Sequence, residues 1–126
     1  MKIDCVKVGR LRCNCYILEC EGQVLVIDPG DEFDKIEKVI GSKKVVGVII
    51  THHHNDHDGA VEEVVNRYRC KVYDRYNLIE GINDIDNFRF EVIYTPGHKE
   101  DLISIYFKKE KAMFVGDFIF RDSIGR

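Results

Sequence analysis

The sequence predicts an α+β domain in which strands, interrupted by two helices, form a mixed sheet with the helices outside. Three observations predict it. Apolar runs of strand length recur along the chain, two segments carry apolar residues at helical spacing, and the polar clusters fall where strands end. The 126 residues suit one domain spanning 1–126. A chain of this size buries about two thirds of its unfolded surface, enough for a core without staples.

Ile3 to Val8 alternates as a strand, Gly9-Arg10 turns, and Leu11 to Cys20 is a second strand. Glu21-Gly22 is a tight turn, and Gln23 to Ile27 is rich in β-branched residues. Asp28-Pro29-Gly30-Asp31 then breaks the chain. Phe33, Ile36, Val39 and Ile40 follow helical spacing, with Gly41 as the stop. Val45 to Ile50 is a continuous apolar run, the pattern of a strand buried on both faces.

Ala60, Val61, Val64, Val65 and Tyr68 form the stripe of a second helix, with Asp58 as its cap. Cys70 to Tyr73 and Asn87 to Tyr94 are strands, the latter ending at Thr95-Pro96-Gly97-His98. Leu102 to Phe107, the turn Lys108-Lys109-Glu110-Lys111, and Ala112 to Gly116 make a hairpin ending at Asp117. No linker, repeat or low-complexity segment interrupts the pattern.

Composition narrows the function classes. An apolar fraction of 44% and a charged fraction of 33% describe a globular domain rather than a disordered chain. Nineteen basic against 22 acidic residues disfavour a dedicated nucleic-acid binder, which carries a basic face. No run of about 18 apolar residues exists to span a membrane. An acid at position 4 interrupts what would be a signal peptide, so the expected location is the cytoplasm. Five cysteines, at 5, 13, 15, 20 and 70, cannot all pair. A thiolate metal site at Cys13 and Cys15 is the alternative; small buried side chains in a reducing cytosol explain them better, since CxxC pairs are missing.

Four of the five histidines lie within six residues, at 52, 53, 54 and 57, and the fifth is His98. Four imidazoles bracketed by Asp56 and Asp58 are hard to place in an apolar core, where each ring nitrogen needs a partner. Metal binding explains them better than a surface tract, because they directly follow a buried strand. In an extended segment His52 and His54 project to the same side and can reach one cation at about 2.0–2.1 Å. A turn at Asn55 swings Asp56 and His57 toward a second ion. His98 can complete the first set, and Asp117 has the two oxygens needed to bridge both. His53 is directed away from the metals, into packing. Such donors suit Zn²⁺, and also iron or manganese.

These residues resemble the metallo-β-lactamase-fold hydrolase superfamily. Its signature HxHxDH stands here as His52-His53-His54-Asn55-Asp56-His57, flanked by Thr51 and Asp58-Gly59. Asp28-Pro29-Gly30, Thr95-Pro96-Gly97-His98 and Val115-Gly116-Asp117 match in order. Phe120-Arg121-Asp122-Ser123-Ile124-Gly125-Arg126, with Asn14-Cys15-Tyr16, resembles the hydroxyacylglutathione-hydrolase-like branch. The resemblance implies a four-layer αββα sandwich with a site where the sheets meet. It implies one metal on His52, His54 and His98, a second on Asp56 and His57, and Asp117 bridging. It also implies a metal-dependent hydrolase that uses a metal-bound hydroxide on a thioester or ester, with Asp56 orienting the nucleophile and shuttling its proton.

The chain departs from the family's pattern in two places. The further downstream histidine on the second metal has no counterpart within these 126 residues. That leaves the second site one ligand short and the second half of the fold incomplete. Exposed apolar sheet surface is then expected, covered by a homo-oligomer or a partner. Lys99-Glu100-Asp101 also replaces the usual small polar residues after His98. The alternatives are a catalytically weak metal-binding or oligomeric module of the same fold, a superfamily nuclease, or an iron-dependent redox protein. A histidine at 54 where a flavodiiron site has an acid favours the hydrolase over the last.

Overall fold

A computed structural model of the chain describes residues 1–10, 12–52, 59–95, 102–116 and 118–121. The strands are β1 (Lys2–Val8), β2 (Cys13–Cys20), β3 (Gln23–Ile27), β4 (Lys44–Ile49) and β5 (Lys71–Tyr73), then β6 (Gly81–Ile85), β7 (Phe88–Tyr94), β8 (Ile103–Phe107), β9 (Ala112–Val115) and β10 (Phe118–Arg121). Helix α1 (Phe33–Ile40) precedes β4, and α2 (Val61–Tyr68) follows it.

The strands form two sheets, as the resemblance to an αββα sandwich implies, where the strand pattern alone suggested a mixed sheet. The first runs β1-β2-β3-β4-β5 and the second β10-β9-β8-β7-β6. The first is mixed: β1, β2 and β3 pair antiparallel, while β3, β4 and β5 pair in parallel through the helical crossovers. The second is a meander of antiparallel neighbours. Strands β6 and β10 were not anticipated. GINDI carries three polar or glycine residues in five, and β10 overlaps the family-like ending at Phe120 and Arg121.

Alternation along each strand builds two cores. Tyr16, Leu18, Leu25, Ile27 and Ile49 face the second sheet and pack on Phe88, Phe90, Val92, Ile105 and Phe114. The Phe114 ring meets Tyr16 edge-on at 4.9 Å between centroids. Cys13, Cys15, Ile17, Val24, Val26 and Val48 face the other way, onto Ile36 and Ile40 of α1 and onto Val64 of α2 and Ala60 just before it. The central strands of the first sheet are therefore covered on both faces, which explains their unbroken apolar runs. Cys13 and Cys15 share one face, as read, and none of the five cysteines forms a disulfide.

Among the described residues the layers are helix, sheet, sheet, an α+β arrangement with helices on one side only. On the outer face of the second sheet, register aligns Ile82, Glu91, Tyr106, Met113 and Phe120 in one row across all five strands. Ile82 is 52% and Phe120 60% exposed. The N-cap of α2 is Ala60; Asp58, the expected cap, lies outside the described residues. No helix among the described residues is long and apolar enough to cross a membrane.

Candidate metal centre

The parallel strands of the first sheet end in polar residues at one rim. Asp28, just after β3, is fully buried and has a φ of 56°, in the left-handed region that Asp tolerates better than most side chains. Its backbone N–H donates to the Ile49 carbonyl at 2.9 Å. Its carboxylate accepts twice from Thr51, from the backbone N–H at 2.8 Å and from the hydroxyl at 2.6 Å. A carboxylate without water is tolerable only with partners of this kind. Burial pushes the nearby Cys15 thiol well up from its ordinary value, and the Asp28 charge adds to that.

Thr51 leads into His52, which is half-buried with Nδ1 at 3.3 Å from the Thr51 hydroxyl. Beyond residues 53–58 the chain is fastened again where the Ala60 N–H donates to the Pro29 carbonyl at 3.0 Å. Both ends of the histidine segment are thus tied to the Asp28-Pro29 dipeptide.

The second sheet reaches the same rim. The Ile103 N–H, at the start of β8, donates to the Thr51 carbonyl at 2.9 Å. Ile103 stands opposite Tyr94, the Thr95 N–H donates to the Leu102 carbonyl at 3.2 Å, and the Thr95 and Ser104 hydroxyls bond at 3.1 Å. Residues 95 and 102, which bracket the His98 segment, therefore stand beside Thr51. Ser104 is opposite Val115, and Val115 is opposite Phe118, so Gly116 belongs to this rim as well. Its φ of 55° is one that glycine adopts without penalty, and it immediately precedes residue 117. The connection 74–80 packs nearby, with the Arg75 guanidinium 4.7 Å over the Tyr94 ring and Glu80 accepting from the Tyr94 N–H at 3.1 Å. An open cleft of about 790 Å³, lined by Met1, Cys20, Asn87, Phe88 and Lys108, lies at the opposite ends of the strands.

Of the site residues drawn from the sequence, His52 is described and sits at this rim. His54, Asp56, His57, His98 and Asp117 lie outside the described residues, as do His53 and Lys99-Glu100-Asp101. Among the described residues no three His, Cys, Asp or Glu side chains gather as a ligand set. The Asp28–Thr51 pair was not singled out as functional. Its signal was an acid and a threonine closing two otherwise apolar strands.

The donor set fits a divalent cation in its chemistry, because imidazoles and carboxylates offer lone pairs near neutral pH. The setting of His52 fits as well, since a ligand histidine ordinarily has its second ring nitrogen held by an oxygen.

Comparison with known proteins agrees with the fold. The chain matches the Metallo-beta-lactamase superfamily over residues 8–80 and 72–126. It is 30% identical over 158 residues to the probable metallo-hydrolase YqgX of Bacillus subtilis (strain 168), covering 100% of this chain and 75% of that protein. It is 34% identical over 128 residues to the hydroxyacylglutathione hydrolase of Francisella philomiragia, covering 91% of this chain and 50% of that enzyme. The chain thus spans three quarters of the first and half of the second. Among solved structures, the B3 metallo-beta-lactamase BLEG-1 superposes with a TM-score of 0.87 at 25% identity, over 99% of this chain and 76% of that one. TTHA1623 in a di-iron-bound form superposes with a TM-score of 0.80 at 27% identity, over 98% and 76%.

Proposed function

The chain belongs to the metallo-beta-lactamase superfamily, and from that premise we propose that it is a metal-dependent hydrolase of a thioester or related ester. The observation that carries the reading is the shared rim. The described residues that bracket the HxHxDH segment and the His98 segment are joined there by the Ile103–Thr51 and Thr95–Leu102 hydrogen bonds, and those before position 117 by the pairing of Ser104 with Val115. The hydroxyacylglutathione hydrolase relative supports the substrate class, because the acyl–glutathione bond in that name is a thioester.

On this reading His52, His54 and His98 would hold one ion and Asp56 and His57 a second, with Asp117 supplying a carboxylate to the pair. A cation held there would supply Lewis acidity, the chemistry that activates water at neutral pH and polarises a carbonyl. Zinc is the first choice, and the di-iron form of TTHA1623 supports iron as the second. Asp56 takes up the proton of the attacking water on its carboxylate and delivers it to the leaving sulfur or oxygen. Asp28 and Thr51 hold His52, while the Thr95–Ser104 hydroxyl bond steadies the entry to the His98 segment. A cytoplasmic setting accords with five cysteines that form no disulfide.

The test is metal content together with turnover on S-acylglutathione thioesters and aryl esters, for the wild type and Asp56→Ala. Turnover lost in Asp56→Ala is the expected result. A wild type that carries metal but hydrolyses neither class would overturn the hydrolase reading and leave a metal-binding module.

A further inference from the structure

We propose that Arg75 is a specificity-determining residue that receives a carboxylate of the substrate, which narrows the substrate class to carboxylate-bearing esters and thioesters. Arg75 lies two residues beyond β5, whose last carbonyl, on Tyr73, accepts from the Ile50 N–H at 2.8 Å, one residue before Thr51. Its guanidinium lies 4.7 Å over the ring of Tyr94, the last residue of β7, which the His98 segment follows in sequence. Arg75 therefore links the strand end that leads to His52 with the strand end that leads to His98. Tyr94 packs at the margin of the inter-sheet core. The guanidinium thus stands at the rim where the two sheets meet.

Both halves of this stack are fastened. The Tyr94 N–H donates to the Glu80 carboxylate at 3.1 Å, and its hydroxyl reaches the Leu78 carbonyl at 3.5 Å. Around Arg75, the Asp74 carboxylate accepts from the Tyr76 N–H at 2.9 Å, and the Asp74 N–H donates to Asn77 Oδ1 at 2.7 Å. The Leu78 N–H donates to the Asp74 carbonyl at 3.0 Å, and Leu78 itself is buried. The backbone on both sides of the half-buried Arg75 is therefore held. A guanidinium carries its five N–H donors in its plane, so a ring against its face takes none of them. What the ring removes is rotamer freedom, a loss that capture of a ligand would otherwise bear. A planar fork fixed in this way matches the two oxygens of a carboxylate. The identity of the ligand rests on the hydrolase reading, and the two can fail separately.

The test titrates the ¹⁵N-labelled full chain with S-methylglutathione, a thioether that hydrolysis cannot consume, and with its dimethyl ester, which carries no carboxylate. The acid should bind about 10–100-fold more tightly than the ester, the usual effect of a hydrogen bond between charged groups. The Arg75 Nε–H signal of the wild type should move with the acid alone. Arg75→Gln should bring the two Kd values together, and Arg75→Lys, which keeps the charge without the fork, should keep part of the gap. In the metal-loaded chain Arg75→Gln should raise KM for S-acetylglutathione and leave kcat near the wild-type value, because the contact holds substrate and transition state alike. Absent or equal binding of acid and ester in the wild type, an unmoved Arg75 signal, or an Arg75→Gln protein that keeps the gap overturns the proposal. A wild type that shows the gap yet turns over no ester or thioester overturns the hydrolase reading instead.

Discussion

The Ile103 N–H donates to the Thr51 carbonyl at 2.9 Å, a bond that passes from the second sheet to the first. β9 ends at Val115, opposite Ser104, so the ladder offers Ile103 no further partner on that side, and Thr51 takes the place. One hydrogen bond therefore fastens the start of β8, next to the His98 segment, to the residue that precedes His52.

Replacing Ile103 with proline removes this donor while leaving the β7–β8 pairing, whose bond at this point runs from Thr95 to Leu102. Relative to Ile103→Val, which keeps the N–H, the proline variant should lose about 1–3 kcal/mol for the orphaned carbonyl. It should also retain less zinc after dialysis. Urea midpoints and metal content read the two effects. Equal midpoints for the two variants would show that the bond contributes nothing.

The Glu32 carboxylate accepts from the Gly9 N–H at 2.7 Å and lies 3.1 Å from the Lys35 ammonium. The Gly9 bond first, and Lys35 second, hold its pKa below the ordinary 4.5. A depressed folded-state value means that this contribution is present above the unfolded value and fades as pH falls through the folded one. Glu32→Gln should therefore be less stable than wild type at neutral pH, with the gap closing in acid. Chemical denaturation across that range checks it, and a gap that widens in acid would reverse the sign.

The row Ile82, Glu91, Tyr106, Met113 and Phe120 spans the outer face of the second sheet and ends in two side chains more than half exposed. A row with four apolar side chains around Glu91, two of them exposed, predicts association of the chain with a second copy. Light scattering should show the mass rise with concentration, and Phe120→Ser should suppress the rise. A wild type that stays monomeric at all concentrations contradicts this.

How much of this was legible in the sequence depends on the local signal of each element. β3 and β4 read clearly, because burial on both faces leaves Val24–Ile27 and Val48–Ile50 apolar without interruption. α1 read well from Ile36 and Ile40, which meet the sheet. The division into two sheets was invisible to periodicity, since alternation along Phe88–Tyr94 says which residues are buried and not which sheet buries them. β6 was hidden for another reason: Asn83 is polar because it clamps the Ile79 backbone, accepting from its N–H and donating to its carbonyl. At the candidate site the histidines announced themselves by crowding. Asp28 and Thr51 did not, because what marks them is a pairing across 23 residues that only the parallel register of β3 and β4 creates.

The most direct measurement is metal per chain after exhaustive dialysis, by elemental analysis, for the wild type, His54→Ala and Asp117→Ala. The account predicts at least one zinc or iron per wild-type chain, near-complete loss in His54→Ala, and reduced occupancy in Asp117→Ala. A wild type that retains no transition metal, or variants that retain as much as the wild type, would contradict it.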